Sequence, residues 1–343
     1  MDKYFLASNS KDGFYSKFSE LTTYSEIEDF YIIKAGAGCG KSTFMKKLGN
    51  YLIDNGYDAE FIYCSSDPNS LDGVISKKGK LAICDGTAPH TTEPKYTGAF
   101  DHYLDFSCYL DKTLLKPQFA EIKYLTDTIS AKYKSAYKFL NCAGILDNEL
   151  FSMGVSTDAI SKIKKRTQGI ISREIPTCSG AKKVYDRFLT GISPKGVVNF
   201  KETIIDKAKK VYLINDSFGM SHFLMCELLN NLTGYTVYKF LSPLNPLKIE
   251  HLYIEELGLA FITKNSIDLD TEVFRNINLD TYIEYDKKRV KKLNKQIEFN
   301  INEAVEIMST CKSLHDDLEA IYIKAMDYSK LDDLFNNIIS EIK

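Results

Sequence analysis

Residues 30–48 read FYIIKAGAGCGKSTFMKKL, and the reading of the whole chain starts there. Phe30–Lys34 is apolar and β-prone, the composition of a strand buried on both faces. Phe44, Met45 and Leu48 then recur at helical spacing. Between them Ala35–Ser42 has the form A-x-x-x-x-G-K-S. Strand, glycine-rich loop, Lys-Ser and helix, in that order, is the context of a phosphate-binding P-loop. Gly36, Gly38 and Gly40 let the backbone curl until its N–H groups face an anion, which a side chain would obstruct. The following helix N-terminus adds partial positive charge. Lys41 is placed to reach β- and γ-phosphates, and the Ser42 hydroxyl to ligate Mg²⁺. The expected nucleotide-binding stretch is Gly36, Ala37, Gly38, Cys39, Gly40, Lys41, Ser42 and Thr43. Ala35 stands where the pattern has its first glycine, and a dinucleotide G-x-G-x-x-G fails because its third glycine would be Lys41. Cys39 reads as a small filler, with a redox-sensitive thiol as the rival reading.

A P-loop needs a second carboxylate for the metal. Leu81–Asp85 reads L-A-I-C-D, a Walker B-like strand ending in Asp85. Asp85 is therefore expected to hold Mg²⁺ with Ser42 and, with Lys41, to carry the chemistry. Gly86 follows it, where many hydrolysing P-loop proteins have a water-orienting glutamate. Candidate bases lie in two loops after strands: Asp67 and Asp72 in Ser65–Asp72, and His90 in Gly86–His90. Each has a capping reading as well. No N-K-x-D signature is present, which favours ATP over GTP.

The chain of 343 residues has room for about two domains. With 44% hydrophobic and 26% charged residues its composition is globular, not disordered or fibrous. The net charge of −2 argues against nucleic acid as a partner. No apolar run is long enough for a membrane helix, and Met1–Gly13 lacks the apolar stretch of a signal peptide. The eight cysteines are dispersed and form no C-x-x-C, so a reduced, cytoplasmic, zinc-free protein is expected.

The second half retraces the first. Tyr4–Gly13 aligns with Arg187–Gly196, Tyr31-Ile32-Ile33 with Tyr212-Leu213-Ile214, Ser66-Asp67-Pro68 with Leu244-Asn245-Pro246, and Leu81–Asp85 with Leu259–Thr263. The second loop, Asn215–Phe223, has lost the lysine. Lys41 matches Met220 with a gap or His222 without one, and Asp85 matches Thr263. Asp216 sets a negative charge near any phosphate. The second copy reads as a degenerate nucleotide fold.

Each copy is followed by helical sequence: Phe119–Leu140 then roughly 156–172, and Val290–Cys311 then 314–327. These read as helical hairpins, with a partner-binding coiled coil as the rival. The lysine-rich run Lys287–Lys292 reads as a solvated helix face.

The stretches AGAGCGKSTFMKKLG, FIYCSSDPNSLDGV and LAICDGTAPHTTEPKY, with RFLTGISPKGVVNF and HDDLEAIYIKAMDY, resemble the bacterial ATPase family with two tandem P-loop NTPase domains. The resemblance covers nearly the whole chain. It implies an ATP-binding protein and carries Gly40, Lys41, Ser42 and Asp85 over as nucleotide and magnesium residues. Family P-loops read G-G-P-G-T-G-K-S, from which Ala35, Ala37 and Cys39 depart.

The expected fold is α/β: tandem P-loop NTPase domains with parallel sheets, residues 1–183 and 184–343, each followed by a helical hairpin. The expected function is ATP binding with Mg²⁺-dependent hydrolysis at one site in the first half, with Arg187 as a junction residue that forms a surface salt bridge or acts in trans. A small-molecule or nucleotide kinase, and a nucleotide-sensing module that binds a protein through its hairpins, are the alternatives.

Overall fold

The computed structural model describes residues 1–23, 25–89, 91–264 and 273–342. The first half runs β1 (Asp2–Tyr4), β2 (Ala7–Ser10), β3 (Gly13–Ser16), β4 (Asp29–Lys34), α1 (Lys41–Asp54), β5 (Glu60–Tyr63), β6 (Leu71–Ser76), β7 (Leu81–Asp85) and β8 (Asp101–Asp105). A short α2 (Lys112–Leu115), the long α3 (Phe119–Gly154) and α4 (Thr157–Glu174) follow. The second half repeats this with β9 (Lys183–Arg187), β10 (Thr190–Ser193), β11 (Gly196–Asn199), a short α5 (Glu202–Ile205), β12 (Lys210–Asn215), α6 (Ser221–Asn230), β13 (Thr236–Leu241), β14 (Ile249–Ile254), β15 (Leu259–Thr263) and β16 (Arg275–Asn278). It ends in α7 (Lys287–Ile323) and α8 (Ser329–Glu341).

Two six-stranded sheets result, ordered β1-β5-β6-β7-β4-β8 and β9-β13-β14-β15-β12-β16. The order is the same position by position. So is a local irregularity: the register shifts at Ile62/Tyr63 in one sheet and at Phe240/Leu241 in the other. The sheets are mostly parallel, but β6 and β14 run against their neighbours. This corrects the expectation of wholly parallel sheets. Residues 64–70 and 77–80 are the only links into and out of β6, too short for the crossover a parallel neighbour needs.

Alternation along the strands explains their apolar runs. Phe30 and Ile32 of β4, Ala82 and Cys84 of β7, and Ala260 and Ile262 of β15 enter one core shared between the two sheets. Tyr31, Ile33, Leu81 and Ile83 face the other way, onto α1 and α8, while Tyr212, Ile214 and Phe261 face α4 and α6. Each sheet is thus buried on both faces, in layers of helix, sheet, sheet and helix. Each fully buried aliphatic or aromatic side chain contributes roughly 1.5–3 kcal/mol. The halves meet about a pseudo-two-fold: Phe5 N–H donates to Phe188 O at 2.9 Å and Phe188 N–H to Phe5 O at 2.8 Å.

The helical extensions are exchanged. Ala159, Ile163 and Ile170 of α4 join the core of the second half, and Leu331, Phe335 and Ile338 of α8 join that of the first. The long helices α3 and α7 pair with each other instead of folding back on α4 and α8 as hairpins. They pack on Ala136, Leu140, Ala143, Ala304 and Met308, where the three alanines allow close approach. They run antiparallel: Asp111 N–H, which opens α2 ahead of α3, donates to Ala325 O, just after α7, at 2.8 Å, and Arg289 reaches Glu149 at 3.7 Å at the other end. α7 passes through residues 311–314 unbroken because no glycine or proline interrupts it.

Arg187 is not a surface residue and does not belong to the glycine-rich loop. It is completely buried and donates to Glu60 Oε2 through Nε at 3.0 Å and Nη2 at 2.6 Å. Tyr238 OH and Lys77 Nζ also meet Glu60, at 3.1 and 3.4 Å. Burial by itself would raise the Glu60 carboxyl, but the Arg187 and Lys77 charges outweigh it and hold it below the usual range.

Candidate functional site

β4 delivers the loop Ala35–Gly40, and α1 carries it on from Lys41. Gly40 sits at the N-cap of α1 with φ 80°, and Gly38 has φ 67°, conformations that cost an L side chain about 1–2 kcal/mol. β7 lies directly beside β4 with Ile33 opposite Asp85, so Asp85 ends next to the start of the loop. The expected residues come together there. Lys41 Nζ donates to Gly36 O at 2.7 Å and Ala35 O at 3.2 Å and lies 3.5 Å from Asp85 Oδ2. The other oxygen of Asp85 accepts from Thr87 N–H at 2.8 Å and Thr87 Oγ1 at 2.5 Å, which fixes the carboxylate. The Ser42 hydroxyl accepts from Leu71 N–H at 2.9 Å, tying α1 to the start of β6. Lys46 donates to Asn69 O at 2.5 Å, so the loop after β5 sits on the same rim. Among the described residues, no group accepts from the N–H of Gly38, Cys39, Gly40, Lys41, Ser42 or Thr43. Such a ring of amides at a helix start is suited to a multiply charged anion. Hydroxyl and carboxylate oxygens beside it suit a hard divalent cation.

Cys39 is buried at 1% exposure, and burial pushes its thiol up, which fits a filler. Asp67 caps its own turn, accepting from Asn69 N–H at 3.2 Å and Ser70 Oγ at 2.8 Å. Burial would raise its carboxyl, but these bonds and the Lys312 and Lys195 charges outweigh it and hold it low, unlike a poised base. Asp72 is buried on β6 near the Cys64 thiol. His90 lies outside the described residues.

The far end of α7 packs on the loop, a contact that no motif or periodicity signals. A Cβ on Gly36 would touch the Tyr322 ring at 3.0 Å, and one on Gly38 would strike Glu319 O at 2.7 Å. Tyr328 OH donates to Gly38 O at 2.7 Å. Phe335 of α8 stacks edge-on against Phe44 and Tyr51 of α1.

The second half resolves the alignment of the lost lysine. Register pairs Lys34 with Asn215, hence Ala35 with Asp216. Ile249 N–H donates to His222 Nδ1 at 3.1 Å as Leu71 N–H donates to Ser42, so His222 takes the place of Ser42. Lys41 then corresponds to Ser221, in a loop one residue shorter, and to neither Met220 nor His222. Thr263 replaces Asp85, and its N–H is bonded at 3.1 Å to His251, which fills the place of Gly73.

Compared with known proteins, the chain matches no family model, no curated protein and no solved structure.

Proposed function

We propose that the chain is an ATP-binding P-loop protein, a Mg²⁺-dependent ATPase with one working site in its first half. The observation that carries this is the contrast between the loops. The first has free amides from Gly38 to Thr43, with Lys41, Ser42 and Asp85 converging on them. The second has lost all three side chains. In the first, Lys41 would exchange its bonds to the Ala35 and Gly36 carbonyls for phosphate oxygens. Ser42 and Asp85 would hold Mg²⁺, which when bound neutralises phosphate charge. The amides and the start of α1 would orient the phosphates without moving.

The test is calorimetric ATP binding with Mg²⁺, with ADP release, for wild type and Lys41→Ala. A lost charge-assisted contact of about 1.5–3 kcal/mol weakens binding roughly 10- to 150-fold. Wild type that binds nothing at millimolar ATP defeats the proposal.

A second reading, a nucleotide-responsive module with negligible turnover, is favoured by the contact of Tyr322 and Tyr328 with the loop. Tight binding without ADP release separates it from the ATPase. ADP release only on adding a phosphate acceptor marks a kinase.

A further inference from the structure

Asp216 does more than repel a second phosphate. Its Oδ1 accepts from Phe218 N–H at 3.1 Å and Met220 N–H at 3.0 Å, and its Oδ2 from Ser221 N–H at 2.5 Å. The residue is 2% exposed, so these charge-assisted bonds are made out of water. We propose that the second loop is an anion nest liganded by its own side chain, which holds the second half permanently in the occupied conformation. The geometry stands by itself; its functional meaning rests on reading the first loop as a phosphate site.

The surroundings agree. Phe218 and Met220 are fully buried beneath α3, where a Cβ on Gly154 would meet them at 2.7 and 3.1 Å. His222 and His251 occupy the places of Ser42 and Gly73, so the hydroxyl that would ligate a metal is gone. The end of α3 thus rests on the second loop as the end of α7 rests on the first. A loop that never empties gives α3 a fixed seat. Only the seat of α7 changes with ligand, so the chain works as one variable half against one constant half, not as two alternating sites.

The full chain tests this through thermal unfolding and amide hydrogen exchange. Asp216→Ala lowers Tm by roughly 5 °C or more. Sodium formate at about 50 mM, a carboxylate of the size removed, recovers at least half of the loss, and sodium chloride at equal ionic strength does not. Where Asp216→Ala does not fold, Asp216→Asn carries the test. It keeps an acceptor for Phe218 and Met220 and loses the one for Ser221, so exchange quickens selectively at Ser221. In wild type, Mg-ATP slows exchange across 36–44 and leaves 216–222 unchanged. An unaltered Tm in Asp216→Ala, a loss indifferent to formate, uniform exchange in Asp216→Asn, or ATP protection at 216–222 overturns the proposal. Formate rescue with no ATP effect at either loop upholds the self-liganded nest and defeats the phosphate reading of the first.

Discussion

Replacing Glu60 by glutamine removes the carboxylate that the Arg187 guanidinium grips in a place with no access to water. Arg187 keeps its bond from Nη1 to Asp186 O, at 2.9 Å, and its place over the Tyr4 and Tyr185 rings, but a neutral amide now stands where the carboxylate was. Breaking a buried pair in this way costs about 3–5 kcal/mol, or roughly 4–7 °C in Tm for a chain this long. The reverse change is milder. Arg187→Met leaves Glu60 with Lys77 at 3.4 Å and the Tyr238 hydroxyl at 3.1 Å, so its charge stays compensated. About 2–3 kcal/mol is expected there. Because the residues touch, the double variant should cost less than the sum, with a coupling of about 2–3 kcal/mol. The chain has no tryptophan, so urea unfolding is followed by far-ultraviolet circular dichroism. The reasoning is refuted if Arg187→Met costs more than Glu60→Gln, or if the coupling falls below about 0.5 kcal/mol.

Further outcomes follow from the same contacts. Burial holds the His251 imidazole down to about 3, against about 6.5 in the unfolded chain. Between those values the unfolded chain binds one more proton than the folded one, so stability falls with falling pH by about 1.4 kcal/mol per unit; His251→Asn flattens that window when the two stability curves are subtracted. Gly38→Ala adds a side chain at φ 67° and drives it into Glu319 O, so it should cost at least about 1–2 kcal/mol and expose the 324–328 turn to protease; cleavage at the wild-type rate counts against the contact. Tyr328→Phe removes the bond to Gly38 O and should cost about 0.5–1 kcal/mol in the urea midpoint, a test that leaves the packing of the ring in place.

The local pieces were legible because their causes are local. A run such as Phe30–Lys34 reads as a strand with both faces covered, and Gly36, Gly38 and Gly40 before Lys41 read as a tight turn into a helix, which is how the chain runs there. Even the repeat could be read to the residue along the strands, where Tyr4 and Arg187 occupy equivalent register positions. The exchange of helices was not legible. The apolar stripes of α3 and α7 suit either the helix that follows or one from the other half, and nothing in their composition chooses. Charge misled at two points. Arg187 read as a surface residue, although Glu60 inside an apolar strand was a signal that a buried cation must answer it. Asp216 read as a repelling charge, although an acidic side chain at the head of a helix more often accepts from its amides. The lost lysine could not be placed at all until the bonds of Ser42 and His222 showed which residue stands where.

The contact of α7 and α8 with the first loop has a consequence for how the protein is made. Strand, loop and helix of the site are complete by residue 85, yet their cover comes from Glu319 to Ile338. On the ribosome the glycine loop emerges early and stays bare while more than two hundred further residues are synthesised. Apolar side chains such as Phe44 and Leu48 wait with it, exposed to aggregation or to a chaperone. The second half has a shorter wait, since α4 precedes the sheet it covers and leaves the ribosome ahead of it. The half that holds the glycine loop is thus translated before the other and finished after it.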